Sequence, residues 1–393
     1  MSEFDLSVNG VLAAATARDG LDDFGDDSFR EPLAVLMDAL NHEAYLNDTG
    51  RMGQFYRTVD LLVNRLRVED WFKRHPEIAD EILDAPVVIV GLPRTGTTML
   101  HRILASDSRF FAPIWYEVRN PAPFPGWEFK GPDPRIAVAE AEVAMMLESN
   151  PEIAAIHPMN ATGADEEIML LEHSFFSTTP PAFGNVPSYM AWQNTHDNTP
   201  GYRYLKRLLQ FLQWQKKRQG QGGERWLLKT PHHLHCMDVL LREFPDALIV
   251  QTHRDPLQTI PSIASFHYEL WKLGSDVADP VAVGHMWAAK FARGMHHTMT
   301  VRDAGADGRF LDVHFEDTVA DPFGVIGRVY DFIGMALTPE ARQAMEDWQD
   351  ENRRDSRPAH HYTLAEFGFS EAGIAEQFAE YRERFILSHP SAH

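Results

Sequence analysis

P-V-V-I-V-G-L-P-R-T-G-T-T-M-L-H-R-I-L-A-S-D, residues 86 to 107, reads as strand, tight loop and helix. Val87, Val88, Ile89 and Val90 are β-branched and apolar without alternation, as a strand buried on both faces requires. Gly91, Pro93 and Gly96 interrupt the run, and Met99, Leu100, Ile103 and Leu104 then recur at helical spacing. A glycine-containing loop feeding a helix N-terminus gathers backbone N–H donors at one point, where the helix dipole also favours an anion. Arg94 and the hydroxyls of Thr95, Thr97 and Thr98 add donors, so the stretch predicts a phosphate- or sulfate-type anion cradle.

Gly91 and Gly96 match the G-x-x-x-x-G frame of a nucleoside-triphosphate loop, but Thr97 stands where that loop needs lysine. Nor does an apolar strand end in an aspartate placed for magnesium: the run from Ala247 to Thr252 leads into T-H-R-D-P, with Arg254 in the way. The loop therefore suits a less charged group, held by backbone donors and one arginine and without a metal. A nucleotide kinase-type phosphotransferase is the rival reading, and a catalytically silent nucleotide-binding or scaffold protein is a second.

Beyond the cradle, Trp226 to Lys229, Ala247 to Thr252 and Phe310 to Phe315 read as further short strands. Helical patterns cover 134 to 149, Tyr204 to Lys217, His232 to Phe244, Pro322 to Ile333, Pro339 to Asp350 and about Gly373 to Phe385. Another helix starts at Pro256, with Pro261 predicted to kink it or to mark its true start. Strands alternating with long helical crossovers imply an α/β fold: a parallel sheet with helices on both faces. Residues 1–84 read as an N-terminal helical extension packed on an α/β domain spanning 85–393. In the extension, Leu33, Leu36, Met37 and Leu40 share one face, and Val59, Leu62 and Leu66 another; Arg65, Arg67 and Lys73 read as a solvated face.

The chain has 393 residues and a net charge of -21, which argues against nucleic acid or an anionic membrane as a partner. An anionic ligand would need a local basic pocket against that field. The single cysteine, Cys236, excludes an intrachain disulfide and fits a reducing compartment. The first residues show no signal-peptide pattern and no apolar run approaches membrane-spanning length, so a cytoplasmic location without membrane insertion is expected.

A second basic point is Arg254 with Ser262. Arg254 follows a predicted strand, where open α/β sheets bind ligands, and Ser262 lies about two helical turns further on. Alone, the arginine reads equally as a surface salt bridge. Together with the cradle, the pair resembles the sulfotransferase family that uses 3′-phosphoadenosine 5′-phosphosulfate, in its broad bacterial branch. G-L-P-R-T-G-T-T is similar to the family's 5′-phosphosulfate loop, and R-D-P-L-Q-T-I-P-S to its 3′-phosphate site. L-V-N-R-L-R-V-E-D-W, L-K-T-P-H-H-L, F-P-D-A-L-I-V-Q-T-H-R-D-P and H-H-Y-T-L-A-E-F-G-F extend the likeness over about residues 55 to 385.

The resemblance implies a P-loop-like fold and in-line transfer of a sulfuryl group to a hydroxyl or amine. Arg94, Thr95, Gly96, Thr97 and Thr98 would hold the 5′-phosphosulfate, and Arg254 and Ser262 the 3′-phosphate, with no metal required. For the general base it implies Glu117, after Trp115-Tyr116, or a histidine such as His233, where Pro231 shifts the frame. Two readings stand for each. Glu117 is a buried base or a structurally paired carboxylate, and His232 and His233 serve catalysis or capping and packing. Lys229 approaches the sulfuryl group or makes a strand-end salt bridge. Arg357, with Arg354, His360 and His361, closes over the nucleotide or forms a solvated link. The aromatic clusters at 110 to 127 and 175 to 192 wall an acceptor pocket or fill the core. A small or lipid-like hydroxyl compound is the expected acceptor, and the oligomeric state stays open.

Overall fold

The computed structural model describes residues 4–149, 159–352 and 362–389. Five parallel strands make one sheet: β1 (Val87–Gly91), β2 (Phe110–Phe111), β3 (Arg225–Lys229), β4 (Leu248–His253) and β5 (Phe310–His314), in the order β2-β3-β1-β4-β5. β1 is central, with Val87 opposite both Leu227 and Leu248. Its alternate residues feed two cores. Val88 and Val90 pack with Leu228 and Ile249 on one face, and Val87 and Ile89 with Leu227, Val250 and Val313 on the other. Burying all four explains the unbroken β-branched run, each such side chain contributing roughly 1.5–3 kcal/mol.

The four predicted strands are present. β2 is additional: Phe110 and Phe111 pair with Arg225 and Trp226 at the start of the proline-rich stretch 110 to 127. Two residues are too few to show a period. Pro256–Lys272 is one continuous helix with Pro261 inside it, so Pro261 marks no start. The predicted helix from His232 divides into a 3-10 turn (Pro231–His235) and a short helix (Met237–Glu243), because Cys236 takes a non-helical conformation between them. The long helix Pro280–Val301 was not foreseen. It packs along Pro256–Lys272 and against the 3-10 turn.

The N-terminal part folds as α1 (Val8–Asp19), α2 (Arg30–His42) and α3 (Asp48–Arg74). The predicted apolar faces are buried, and they share a core with Phe175, Val186 and Tyr189. The second aromatic cluster is thus largely core filling for these helices. In the first cluster, Phe110, Phe111, Trp115 and Tyr116 are likewise buried. Arg65 corrects the expectation of a solvated face. It is fully buried, donates from Nε to Phe24 O at 2.6 Å and from Nη2 to Asp26 O at 2.8 Å, and lies between the Phe29 and Tyr204 rings. A delocalised guanidinium tolerates such burial when its donors are met and aromatic faces flank it.

Candidate active site

The C-terminal ends of β1, β3, β4 and β5 lie at one end of the parallel sheet, the end at which open α/β sheets bind ligands. β1 ends at Gly91. A Cβ there would stand 2.2 Å from Thr252 Oγ1, so only glycine lets the loop pass the end of β4. The loop then turns through Arg94, whose φ of 74° is left-handed, and Gly96 at 85°, which opens α4 (Thr97–Leu104). A left-handed arginine costs of order 1–3 kcal/mol, and the surrounding contacts must hold it.

Those contacts are specific. Thr95 Oγ1 donates to Leu92 O at 2.7 Å and lies 2.6 Å from Thr252 Oγ1. Its hydroxyl is therefore committed to the loop's own shape and is buried, which corrects its reading as a ligand donor; the Thr95 backbone N–H remains the group for that task. From the end of β4, Arg254 Nη1 donates to Arg94 O at 3.0 Å, Nε donates to Gln258 Oε1 at 2.9 Å, and the guanidinium lies 4.1 Å from the Phe315 ring centroid. Phe315 also closes on Gly96, where an added Cβ would come within 3.1 Å of its ring. The two basic motifs read separately in the sequence are thus joined directly. Asp255 caps the following helix at Leu257 N and receives Arg382 bidentately at 3.0 Å, which ties the turn to the C-terminal segment. Ser262 is buried on the second turn of that helix.

β3 brings Lys229 to the same edge. Its side chain is 2% exposed, and Nζ reaches Thr98 Oγ1 of the cradle at 3.3 Å and Glu166 Oε1 at 2.5 Å. Glu167, next in the chain, accepts the Lys229 backbone N–H at 2.8 Å and lies 2.7 Å from His233 Nε2; Tyr202 OH lies 2.6 Å from His233 Nδ1. These partners assign the imidazole as Nε2–H donating to the carboxylate while Nδ1 accepts from the tyrosine. His233 is fully buried with both nitrogens engaged, one of them on the carboxylate that also accepts the Lys229 N–H. His232 is also buried, with Nδ1 against Thr178 Oγ1 at 3.2 Å.

Glu117 is a paired carboxylate in the structure. It lies on α5 (Trp115–Arg119), 2% exposed. Lys216 Nζ sits 2.7 Å from each of its oxygens, Ile114 N–H donates to Oε2 at 3.0 Å and Tyr116 OH to Oε1 at 3.4 Å. Its acceptor sites are spent on a buried ion pair and on closing the turn of α5. Glu166 and Glu167 were missed as functional groups. Their one signal was the acidic triplet D-E-E at 165 to 167, on a segment with no regular pattern. Arg357, Arg354, His360 and His361 lie outside the described residues.

With this geometry in view, the family profile described as the sulfotransferase family matches residues 86–339, most of the chain. The chain belongs to the sulfotransferase family. Two curated mycobacterial proteins, from Mycobacterium bovis and Mycobacterium tuberculosis, are named omega-hydroxy-beta-dihydromenaquinone-9 sulfotransferase Stf3. Each is 26% identical over 281 residues, covering 68% of this chain and 69% of the relative. Among solved structures, sulfotransferase STF1 from Mycobacterium tuberculosis H37Rv is 32% identical, with a TM-score of 0.84 over 97% of this chain and 100% of that one. STF9 from Mycobacterium avium is 26% identical, with a TM-score of 0.87 over 98% of each chain. As a sulfotransferase the chain is a transferase enzyme on a P-loop-like fold, and the phosphotransferase reading is set aside. Among the described residues, no helix is long and apolar enough to cross a membrane.

Proposed function

We propose that this sulfotransferase moves a sulfuryl group from 3′-phosphoadenosine 5′-phosphosulfate to the hydroxyl of an apolar small or lipid-like acceptor, in line and without a metal. The observation that carries the reading is the direct link between the two anion motifs, Arg254 Nη1 on Arg94 O at 3.0 Å. It fits a donor with phosphate groups at two ends.

In this reading the N-terminal N–H groups of α4, with Arg94, Thr97 and Thr98, hold the 5′-phosphosulfate, and Arg254 and Ser262 hold the 3′-phosphate. Lys229 donates to the transferring group or to the bridging oxygen. Negative charge develops there as the sulfur–oxygen bond to the 5′-phosphate breaks, and preorganised donors act most strongly at such a point. The acceptor oxygen forms the new bond to sulfur, adenosine 3′,5′-bisphosphate leaves, and the acceptor proton goes to a carboxylate. We assign that proton to Glu166 rather than Glu117, because Glu166 pairs with the lysine that touches the cradle. When Lys229 turns to the donor, the Glu166 carboxylate gains a lone pair for the proton.

Support for an apolar acceptor comes from the curated relatives, whose name specifies a hydroxylated menaquinone. Most of the aromatic rings at 110 to 127 and 175 to 192 are buried. A cytoplasmic location fits the single, buried cysteine. The test is a screen of hydroxylated quinones and other apolar alcohols with the sulfate donor, read by product mass. Product gaining one sulfuryl group without added magnesium supports the reading. Tight binding of adenosine 3′,5′-bisphosphate with no product from any acceptor would favour a silent binding protein.

A further inference from the structure

A cavity of about 440 Å³ opens away from the cradle between the segment around Gln193, the 3-10 turn Pro231–His235 and the helix Pro280–Val301. None of the cradle residues lines it. Four polar atoms of its lining side chains, each buried, have no hydrogen-bond partner among the described residues: His232 Nε2, His235 Nδ1, and both Oε1 and Nε2 of Gln193. Leaving such atoms unmet costs roughly 1–3 kcal/mol each, so a cluster of four on one cavity is a sign of something that meets them.

The charge of the same wall says what that is. Lys290 is 4% exposed, and Nζ donates to Asn194 Oδ1 at 2.9 Å. No carboxylate among the described residues pairs with it, and burial brings its ammonium down to about 8, still protonated at neutral pH. Arg242 and the exposed Arg293 add two further positive charges at the rim. The carboxylates nearby are already engaged, Asp238 with His297 at 2.8 Å and Asp197 with Arg242 at 3.8 Å. Against the two lining carboxylates, Asp197 and Asp238, the three cations leave a net positive wall on a chain of net charge -21.

We propose that this cavity is a second ligand site that binds a small, multiply charged oxyanion, a phosphate ester or a polycarboxylate. Lys290 supplies the central charge, His232 and Gln193 donate from the buried wall, and Arg293 and Arg242 gate the mouth. The volume suits a compact metabolite-sized ligand. The site shares one turn with the active site: His232 faces the cavity, while its neighbour His233 holds Glu167 and through it Lys229.

The experiment is calorimetric titration of the intact protein with inorganic phosphate and with citrate, for the wild type, K290M, R293A and R254A. Binding of at least one of the two anions is expected, weakened about tenfold or more in K290M and in R293A and retained in R254A, whose change lies at the cradle. R293A alters an exposed rim residue and keeps the fold even where K290M does not. Absence of binding by the wild type overturns the proposal. So does wild-type affinity in either folded cavity variant, or loss of the signal in R254A alone, which would place the anion at the cradle. Phosphate alone selects a phosphate ester and citrate alone a polycarboxylate; binding of both leaves the common oxyanion chemistry in place.

Discussion

Arg254, at the end of β4, donates from Nη1 to the backbone carbonyl of Arg94 at 3.0 Å, so the residue read as the 3′-phosphate ligand also shapes the 5′-phosphosulfate loop. The bond engages the carbonyl of a left-handed residue and so helps to hold the turn that leads through Gly96 into α4. Phe315 backs both sides of the link. On the proposed reading, donor recognition and loop shape would meet in this one side chain.

R254A should reduce affinity for adenosine 3′,5′-bisphosphate ten- to hundredfold, the loss of about 1.5–3 kcal/mol from a charge-assisted contact. R254K keeps the charge but not the planar fork that reaches Gln258, Arg94 O and the Phe315 face together, so it should fall between the two. Wild-type affinity in folded R254A, measured by calorimetry, would remove the residue from the site.

Arg94 separates strain from binding. R94A and R94G should both lose donor affinity. R94G should be the more stable of the two by about 1 kcal/mol, because glycine occupies the left-handed region without the Cβ penalty. Denaturant unfolding compares them; equal stability would mean that the strained turn relaxes on substitution.

For Glu117, a structural role predicts that E117Q is destabilised by up to about 3–5 kcal/mol, since Lys216 keeps a buried charge without its counterion. Its folded fraction should retain turnover. Full stability with abolished turnover would return the base to Glu117.

At the sheet edge, K229M should lower turnover about 10²–10³-fold while donor affinity changes little, as expected for a donor that acts on charge developed in the transition state. E166Q should lower it about 10²-fold or more and remove the acidic limb of the rate profile. Single-turnover kinetics with donor prebound distinguish these effects from weakened binding. If E166Q turns over at the wild-type rate, the base lies elsewhere.

The buried histidines set an acid limit on stability. His173 and His267 are each lowered to about 3, chiefly by burial. A histidine whose native value is depressed binds its proton more readily in the unfolded chain. Stability is then full above about 6.5 and falls as pH drops below it, at roughly 1.4 kcal/mol per pH unit for each group. Lys290 adds a rise at the alkaline end: held near 8 in the fold, it should let stability climb from pH 8 toward 10.5. Urea unfolding across pH 5 to 10 checks both limbs. H267F should flatten the acid limb by one proton, and K290M should abolish the alkaline rise.

Local pattern alone determined the cradle and the strands around it. An unalternating run of four β-branched residues must be buried on both faces. Glycines at 91 and 96 before an amphipathic stretch must make a loop and a helix N-terminus, and threonine in place of lysine at 97 turns the loop from a triphosphate. Those statements need only neighbours within a few residues. The tertiary structure decided which charged groups meet. Glu117 found Lys216 99 residues away, His233 found Glu167 66 residues away, and Lys229 found Glu166 63 residues away. Hydrophobic periodicity carries no record of such pairings. The role of a carboxylate or an imidazole depends on whether its lone pairs are spent on a distant partner, and only the packed chain brings that partner to it.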